Sequence, residues 1–263
     1  MFKRIWFCGD IHGSYLPIEN FFRRNKDNID FSPETDLIIL LGDVGLNYFR
    51  NHRDIDVKKK LSKYPFTYFC IRGNHEMRAS ACINENPVLW TTEVETFQGP
   101  VWIEKRFPNI VYAMDCPCIY YFIEGYKTLV IPGAYSVDKY YRLRNGWSWF
   151  EDEQLNPAEM ELGRKLIELN PAVDLVLSHT CPSTYVPTDL FLPTVDQSTV
   201  DRTMERYLGE VEYKLDYKYW LWGHYHAFRR YPVGEDGRQR IMLSAGQEMI
   251  LWDDIVNNEC KIY

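Results

Sequence analysis

The residues of this sequence that are best suited to bind metal ions come directly after short apolar runs. Five of the six histidines occupy such positions, together with aspartate and asparagine residues. The candidate ligands are Asp10, His12, Asp43, Asn74, His179, His224 and His226, and His75 follows Asn74 directly. One such histidine is a weak signal, but independent accidents would not place nearly all histidines there. The joint pattern predicts a single site.

The donor atoms of this set suit divalent metal ions. Carboxylate, amide and imidazole ligands accept Mn, Fe, Zn or Ni, and the set contains no thiolate. It exceeds the four ligands of a structural zinc site, so two ions with open positions for water and substrate are the better count. Residues two apart on an extended chain point the same way, so Asp10 can approach the same centre as His12. His224 and His226 are spaced in the same way, and the carboxylate of Asp43 can bridge two ions.

The elements that must position these residues are strands alternating with helices, which is typical of an α/β fold. Short apolar runs that end in turn residues predict buried strands at Arg4–Cys8, Leu37–Leu41, Tyr68–Ile71, Leu175–Leu177 and Tyr219–Trp222. Helices are predicted at Ile18–Arg24, Ile55–Lys63 and Pro157–Leu169, the last with Asn156 as its N-cap. The carboxyl ends of parallel strands gather at one sheet edge, where ligand sites lie.

Further β-segments suggest two packed sheets flanked by helices. They are Val101–Ile103, Ile110–Ala113, Ile119–Ile123, Lys127–Ile131, Arg230–Val233 and Arg240–Leu243. We find no repeat or linker and therefore predict one domain over residues 1–263. Residues 132–153 and 180–199 lack clear periodicity, and either form functional loops or cover sheet edges.

At this point the sequence resembles the calcineurin-like metallophosphoesterase superfamily. Its motif blocks occur here in the family's order: Gly9-Asp10-Ile11-His12-Gly13, Gly42-Asp43, Gly73-Asn74-His75-Glu76, Ser178-His179 and Gly223-His224-Tyr225-His226. The resemblance implies a four-layer α/β/β/α sandwich with two mixed sheets. It also implies that one metal is held by Asp10, His12, Asp43 and His226, and the other by Asp43, Asn74, His179 and His224.

The match to individual branches of the superfamily is partial. Serine/threonine protein phosphatases continue the second block as Gly-Asp-x-x-Asp-Arg-Gly, whereas Leu46 stands here at the position of the second Asp. The group that would orient His75 is therefore unidentified. The blocks around His179 and His224 look more like the general bacterial phosphoesterase branch.

The expected reaction is hydrolysis of a phosphate ester by in-line attack of a metal-bridging hydroxide. The resemblance implies that His75 is the general acid for the leaving group. Arg72, Asn74 and Arg144 are the expected substrate contacts, with Tyr135, Lys139 and Arg142 as further candidates. A phosphomonoesterase that acts on a small molecule or phosphoprotein is the first interpretation. The alternatives are a phosphodiesterase, nuclease or pyrophosphohydrolase, and a metal-binding scaffold without catalysis.

The composition of the chain limits which kinds of binding partner are expected. The net charge of −7 argues against broad nucleic-acid binding, so a nucleic acid is expected only as a substrate. No obligate protein partner is evident. We find no signal peptide and no apolar run that spans a bilayer, which favours a cytoplasmic location and no membrane contact. Seven cysteines fit no complete disulfide framework, and the isolated Cys116-x-Cys118 pair is not expected to bind zinc.

Overall fold

The short apolar runs form two β-sheets in the computed structural model, which describes residues 1–115, 119–246, 248–259 and 261–263. Cys116 and Cys118 lie outside the described residues. In chain order the strands of the described part are β1 (Arg4–Cys8), β2 (Asp36–Leu40), β3 (Thr67–Cys70), β4 (Trp90–Glu93), β5 (Val101–Glu104), β6 (Ile110–Ala113), β7 (Ile119–Ile123), β8 (Tyr126–Ile131), β9 (Leu175–Ser178), β10 (Tyr219–Trp222), β11 (Arg229–Arg230), β12 (Gln239–Met242) and β13 (Ile250–Leu251).

Both sheets are mixed, with parallel strands at their centres. The first has the order β13-β1-β2-β3-β6-β5-β4, and β1, β2, β3 and β6 run parallel. The second has the order β11-β12-β10-β9-β8-β7, and β8, β9, β10 and β12 run parallel. The strands that precede the candidate ligands are all among these parallel ones, so within each sheet their carboxyl ends share one edge.

The helices of the described part are α1 (Leu16–Asn25), α2 (His52–Leu61), α3 (Ala79–Glu85), α4 (Lys139–Arg144), α5 (Pro157–Leu169), α6 (Thr203–Lys214) and α7 (Trp252–Val256). Helices α1, α2 and α3 cover the outer face of the first sheet, and α5 and α6 cover that of the second. Trp252 and Ile255 of α7 instead pack between the two sheets. Among the described helices, none combines the length and the apolar character needed to cross a membrane.

Three buried apolar clusters separate four layers. Phe7 of β1 lies in the cluster between the sheets, which also holds Leu177 of β9. The next residue along β1, Cys8, packs on the opposite face in the cluster that includes Phe21 of α1. Trp220 of β10 belongs to a third cluster with residues of α5 and α6. Alternate strand residues thus fill different layers, and the predicted α/β/β/α sandwich with two mixed sheets is confirmed.

The predicted elements differ from the observed ones mainly at their ends. Helix α5 has the predicted bounds, because Asn156 and Glu159 form a reciprocal capping box at its start. The other predicted helices are displaced by a few residues, and β11 is shorter than expected. Helices α3 and α6 were not predicted, and α4 lies inside the segment 132–153 that lacked periodicity.

Candidate metal centre

The turns that follow five parallel strands bring the candidate ligands together. Asp10 and His12 follow β1, Asp43 follows β2, Asn74 follows β3, His179 follows β9, and His224 and His226 follow β10. Potential ligand atoms lie within 4.8 Å of one another in three overlapping groups: Asp10 with His12 and His226, His12 with Asp43 and His75, and Asp10 with Asp43 and His179. The structure therefore brings residues from both sheets into one cluster.

One side of the cluster combines two imidazoles with a carboxylate. The Nε2 atoms of His12 and His226 are 2.9 Å apart, and Nε2 of His226 is 3.2 Å from Oδ2 of Asp10. This buried Oδ2 has no hydrogen-bond partner among the described residues. The other oxygen of Asp10 accepts the backbone N–H of His224 at 3.0 Å. A buried carboxylate oxygen that faces imidazole nitrogens without a protein donor fits a cation.

The other side of the cluster is built around His179, which is completely buried. Its Nδ1 is 2.8 Å from the carbonyl oxygen of Leu41, so Nδ1 carries the proton and Nε2 faces the cluster. Nε2 is 2.9 Å from Oδ1 of Asn74 and 3.4 Å from Oδ1 of Asp43. Nε2 of His179 and the oxygens of Asn74 and Asp43 thus converge here, and a cation bound to the neutral imidazole could be shared by all three atoms.

The close packing of these ionisable groups shifts the pKa values of His179 and His224. Burial lowers the pKa of His179, but the carboxylates of Asp43 and Asp10 outweigh it and raise the pKa to about 9. Burial, together with His179, lowers the pKa of His224 to about 3, so His224 is a neutral imidazole. Neutral imidazole is the form that binds metals.

Asp43 lies between the two sides. Its Oδ2 is 4.0 Å from Nδ1 of His12, and its Oδ1 accepts the backbone N–H of His75 at 2.7 Å. Burial raises the pKa of Asp43, but the opposing effect of His179 and His75 is larger. The net pKa is therefore well below the usual value. The carboxylate is thus ionised and central, as a bridging ligand must be.

Four of the candidate ligands have left-handed backbone conformations. The φ angles are 46° at His12, 45° at Asp43, 70° at His224 and 55° at His226. Such φ values cost a non-glycine residue about 1–2 kcal/mol. At His12 a backbone hydrogen bond of 2.8 Å to the carbonyl of Asp43 holds the strained turn. Strain concentrated at polar, converging residues is a mark of a functional site.

Two motif glycines allow the turns to approach the ligand carboxylates. A Cβ atom at Gly73 would overlap the carboxylate of Asp43, and one at Gly223 would overlap that of Asp10. Neither position needs a positive φ, so close approach alone requires glycine there.

Glu76 is a supporting residue to which the sequence assigned no role. Its buried carboxylate accepts backbone N–H groups of Val44 at 3.3 Å, Gly45 at 3.2 Å and Gly73 at 3.1 Å. Burial raises its pKa to about 7. Glu76 thereby ties the turn that carries Asp43 to the turn that carries Asn74. Its place in the Gly73-Asn74-His75-Glu76 block was the only sequence signal.

His75 lies at the edge of the cluster, where segment 132–153 folds over it. Its Nε2 is 3.8 Å from Oδ2 of Asp43 and 3.9 Å from Oδ1 of Asp138. Nη2 of Arg142 is 3.2 Å from the same nitrogen, and Arg142 is fully buried. Leu46, at the position where an orienting Asp was sought, is instead buried in the core. Segment 132–153 therefore supplies two of the groups that can orient His75, Asp138 and Arg142, and Asp43 is a third.

Ser136 connects this segment to Asn74. Its hydroxyl accepts hydrogen bonds from Nδ2 of Asn74 at 2.9 Å and from Nη2 of Arg142, and donates to Oε2 of Glu153. The one donor and two acceptor positions of the Ser136 hydroxyl are thus all occupied. Because Nδ2 of Asn74 is engaged in this way, its Oδ1 is directed at His179.

The two arginines predicted to contact substrate, Arg72 and Arg144, have different surroundings. Arg72 is buried, with Nε 3.2 Å from Oδ1 of Asp115 and Nη1 donating to the carbonyl of Glu153 at 2.8 Å. Its Nη2 has no hydrogen-bond partner among the described residues, and the phosphate contact of Arg72 stays a prediction. Arg144 is exposed at the end of α4, and the described contacts do not link it to the cluster. Its substrate contact stays a prediction, and Arg142 is the arginine beside His75.

Comparison with known proteins gives a family and a fold. The sequence matches the model of the calcineurin-like phosphoesterase family over residues 3–228. No curated protein gives a significant match. The crystal structure of TT1561 of Thermus thermophilus is similar, with a TM-score of 0.56 and 14% identity over 100% of this chain and 98% of that chain. At this identity the likeness shows the fold alone.

A second solved structure, the phosphopantetheinyl hydrolase PptH from Mycobacterium tuberculosis, is 17% identical over 92% of this chain and 90% of that chain. Its TM-score of 0.41 is too low to support an inference from it.

Proposed function

This chain belongs to the calcineurin-like phosphoesterase family, and from that premise we propose that it hydrolyses phosphate monoesters at a centre of two divalent metal ions. The observation that carries the proposal is the convergence of imidazole and carboxylate groups in three overlapping sets within 4.8 Å. The orphaned Oδ2 of Asp10 supports the presence of a cation at this place. The family implies a metal-dependent phosphoesterase, and the preference for monoesters is our proposal.

The seven candidate ligands divide between two ions. Asp10, His12 and His226 would hold one ion, Asn74, His179 and His224 the other, and Asp43 would contact both. Mn, Fe, Zn and Ni all suit this oxygen and nitrogen donor set. When bound, the ions supply a water of lowered pKa and neutralise phosphoryl charge.

Residues of the protein position the substrate and protonate its leaving group. His75 adjoins the cluster through Asp43, and we assign it the protonation of the leaving alkoxide. Burial lowers the pKa of His75, whereas Asp43 raises it, and the net pKa lies below the usual value. The dianionic phosphate of a bound substrate would raise that pKa and favour the protonated acid. We also assign to Asn74, which Ser136 directs, a contact with the phosphoryl group.

The position of Arg142 supports the proposed preference for monoesters over diesters. A monoester carries one more negative charge than a diester, and Arg142 brings a guanidinium to 3.2 Å from His75. The Nε atom of Arg142 is paired with Oδ1 of Asp138 at 2.9 Å, which offsets part of this charge, while Nη2 faces His75. We propose that this Nη2 group favours the more highly charged substrate.

The test compares p-nitrophenyl phosphate with its bis ester, with added Mn²⁺ and with a chelator. We expect chelator-sensitive turnover in which the monoester is preferred. A preference for the bis ester would support a diesterase instead. Bound metal without turnover of either ester would support the scaffold alternative.

A further inference from the structure

A cavity of about 250 Å³ adjoins the metal centre on the side of His224 and His226. Its wall comes mainly from segment 180–199 and the residues that follow it. The apolar residues of this wall are Val137, Leu190, Phe191, Leu192, Val195 and Val200. This volume is near the lower end of the range of small-ligand pockets, about 300–1,000 Å³. The cavity therefore fits one substituent of a small substrate.

Three of the six apolar residues of the wall are exposed. Leu190 is 38% exposed, Leu192 59% and Val137 43%. Exposed apolar side chains are unremarkable when they are scattered, but a group of them beside a polar catalytic centre marks a binding surface. An apolar ligand would cover these side chains and remove their surface from water.

The wall is held in place by side-chain contacts. Arg202 lies over the ring of Phe191 at 4.7 Å and donates to Oε1 of Gln197 at 2.8 Å. Arg229 forms a bidentate contact with Asp189, at 3.1 and 2.6 Å. The cavity is therefore formed before a ligand enters, which lowers the cost of binding.

One polar group of the lining has unused hydrogen-bonding capacity. Glu205 is 4% exposed, and its Oε1 accepts a hydrogen bond from Thr180 at 2.8 Å. Its Oε2 has no partner in the part of the chain that the structure describes. An unpartnered buried carboxyl oxygen is costly unless a ligand group meets it.

We propose that this cavity binds the leaving group of the substrate, and that this group is a large apolar or aromatic alcohol with one hydrogen-bond donor for Glu205. The proposal rests on the proposed monoesterase function, because the leaving group is assigned from the position of the cavity beside the metal centre. It excludes phosphoserine and phosphothreonine proteins as the best substrates, since their leaving groups carry little apolar surface.

The first test compares phenyl phosphate with 2-naphthyl phosphate, which differ in apolar size but little in the acidity of the leaving alcohol. We expect kcat/KM to be at least about tenfold higher for the naphthyl ester, given the extra apolar surface buried. In the variant L190S/L192S this ratio should fall towards one, because the naphthyl ester loses more apolar contact than the phenyl ester. Leu169→Ser, which changes a leucine that is 76% exposed outside the cavity, is the matched control.

Binding is measured separately by calorimetry with benzylphosphonate and 2-naphthylmethylphosphonate. Tighter binding of the naphthyl compound, lost in L190S/L192S, supports the proposal. Glu205→Gln should lower the naphthyl-to-phenyl ratio of kcat/KM only when the naphthyl phosphate carries an aminomethyl group. That group supplies the hydrogen-bond donor for Glu205. Equal turnover and binding of the small and large compounds would overturn the proposal but keep the monoesterase. Absence of monoester turnover, with active bis-ester hydrolysis, would overturn the monoesterase and the proposal with it.

Discussion

The turns at the strand ends and the two long segments 132–153 and 180–199 contribute differently to the site. The turns are short, several of their residues have strained backbones, and they carry every candidate metal ligand. The long segments carry none of these ligands. They supply Ser136 and Arg142 on one side, and the apolar cavity wall on the other. In the function proposed above, chemistry and selectivity reside in different parts of the chain, and substitutions in the two parts should have different consequences.

Asp43→Asn should have the largest effect, because it changes the carboxylate shared by both sides of the cluster. We expect phosphatase activity to fall on the order of 10³-fold or more, since charge stabilisation at the reacting centre is lost. Metal content, measured by plasma mass spectrometry, should fall as well. An unchanged circular dichroism spectrum serves as the control for folding. A variant that keeps both metal and activity would refute the bridging role.

His75→Ala should remove proton donation but leave the metal centre intact. We expect turnover of alkyl phosphates to fall about 10²–10⁴-fold. The loss should be smaller for p-nitrophenyl phosphate, because its leaving group needs little protonation. Loss of metal from this variant would show that His75 is a ligand and not the acid.

Ser136→Ala tests whether segment 132–153 positions the turns. It removes the hydroxyl that fixes Asn74, and groups behind metal ligands typically contribute about 10–100-fold in metal affinity or activity. We expect a loss in this range, measured by metal titration and kcat. Ser62→Ala is the matched control, because the Ser62 hydroxyl has no partner among the described residues. Equal behaviour of the two variants would remove Ser136 from the site.

Arg144→Ala should have the smallest effect. Arg144 is exposed, and surface substitutions usually change stability by less than about 0.5 kcal/mol. We expect kcat/KM to stay within about twofold, whereas Arg142→Ala should lose about as much activity as Ser136→Ala. A large loss of kcat/KM in Arg144→Ala would support the predicted contact of Arg144 with the substrate.

The sequence predicted the strand-end turns well because residue type and position are locally linked there. An apolar run that ends in Gly-Asp or Gly-His specifies a strand, a turn and a polar side chain together. Helix α5 was predicted to its ends for the same reason, since Asn156 caps it locally. Helix α6 lacks a side-chain cap that would mark its start, although its buried Met204, Tyr207, Leu208 and Val211 have the helical spacing that could have predicted it.

The supporting residues could not be predicted because their roles depend on long-range packing. Arg72 follows a strand within a motif block, yet its guanidinium meets Asp115 and Glu153. Arg142 lies in an aperiodic segment, yet folding of that segment buries it against His75. Glu76 stood inside a motif, but its three backbone contacts appear only when the turns after β2 and β3 meet.

The most direct test of the central claim is metal stoichiometry measured on the protein loaded with Mn²⁺ and dialysed. The account predicts two ions per chain in the unaltered protein and in His52→Ala, which changes an exposed histidine outside the cluster. His226→Ala and His179→Ala should each lose one ion, and the double variant should lose both. Retention of two ions in all of these variants, or no bound ion in the folded unaltered protein, would contradict a two-metal centre at these residues.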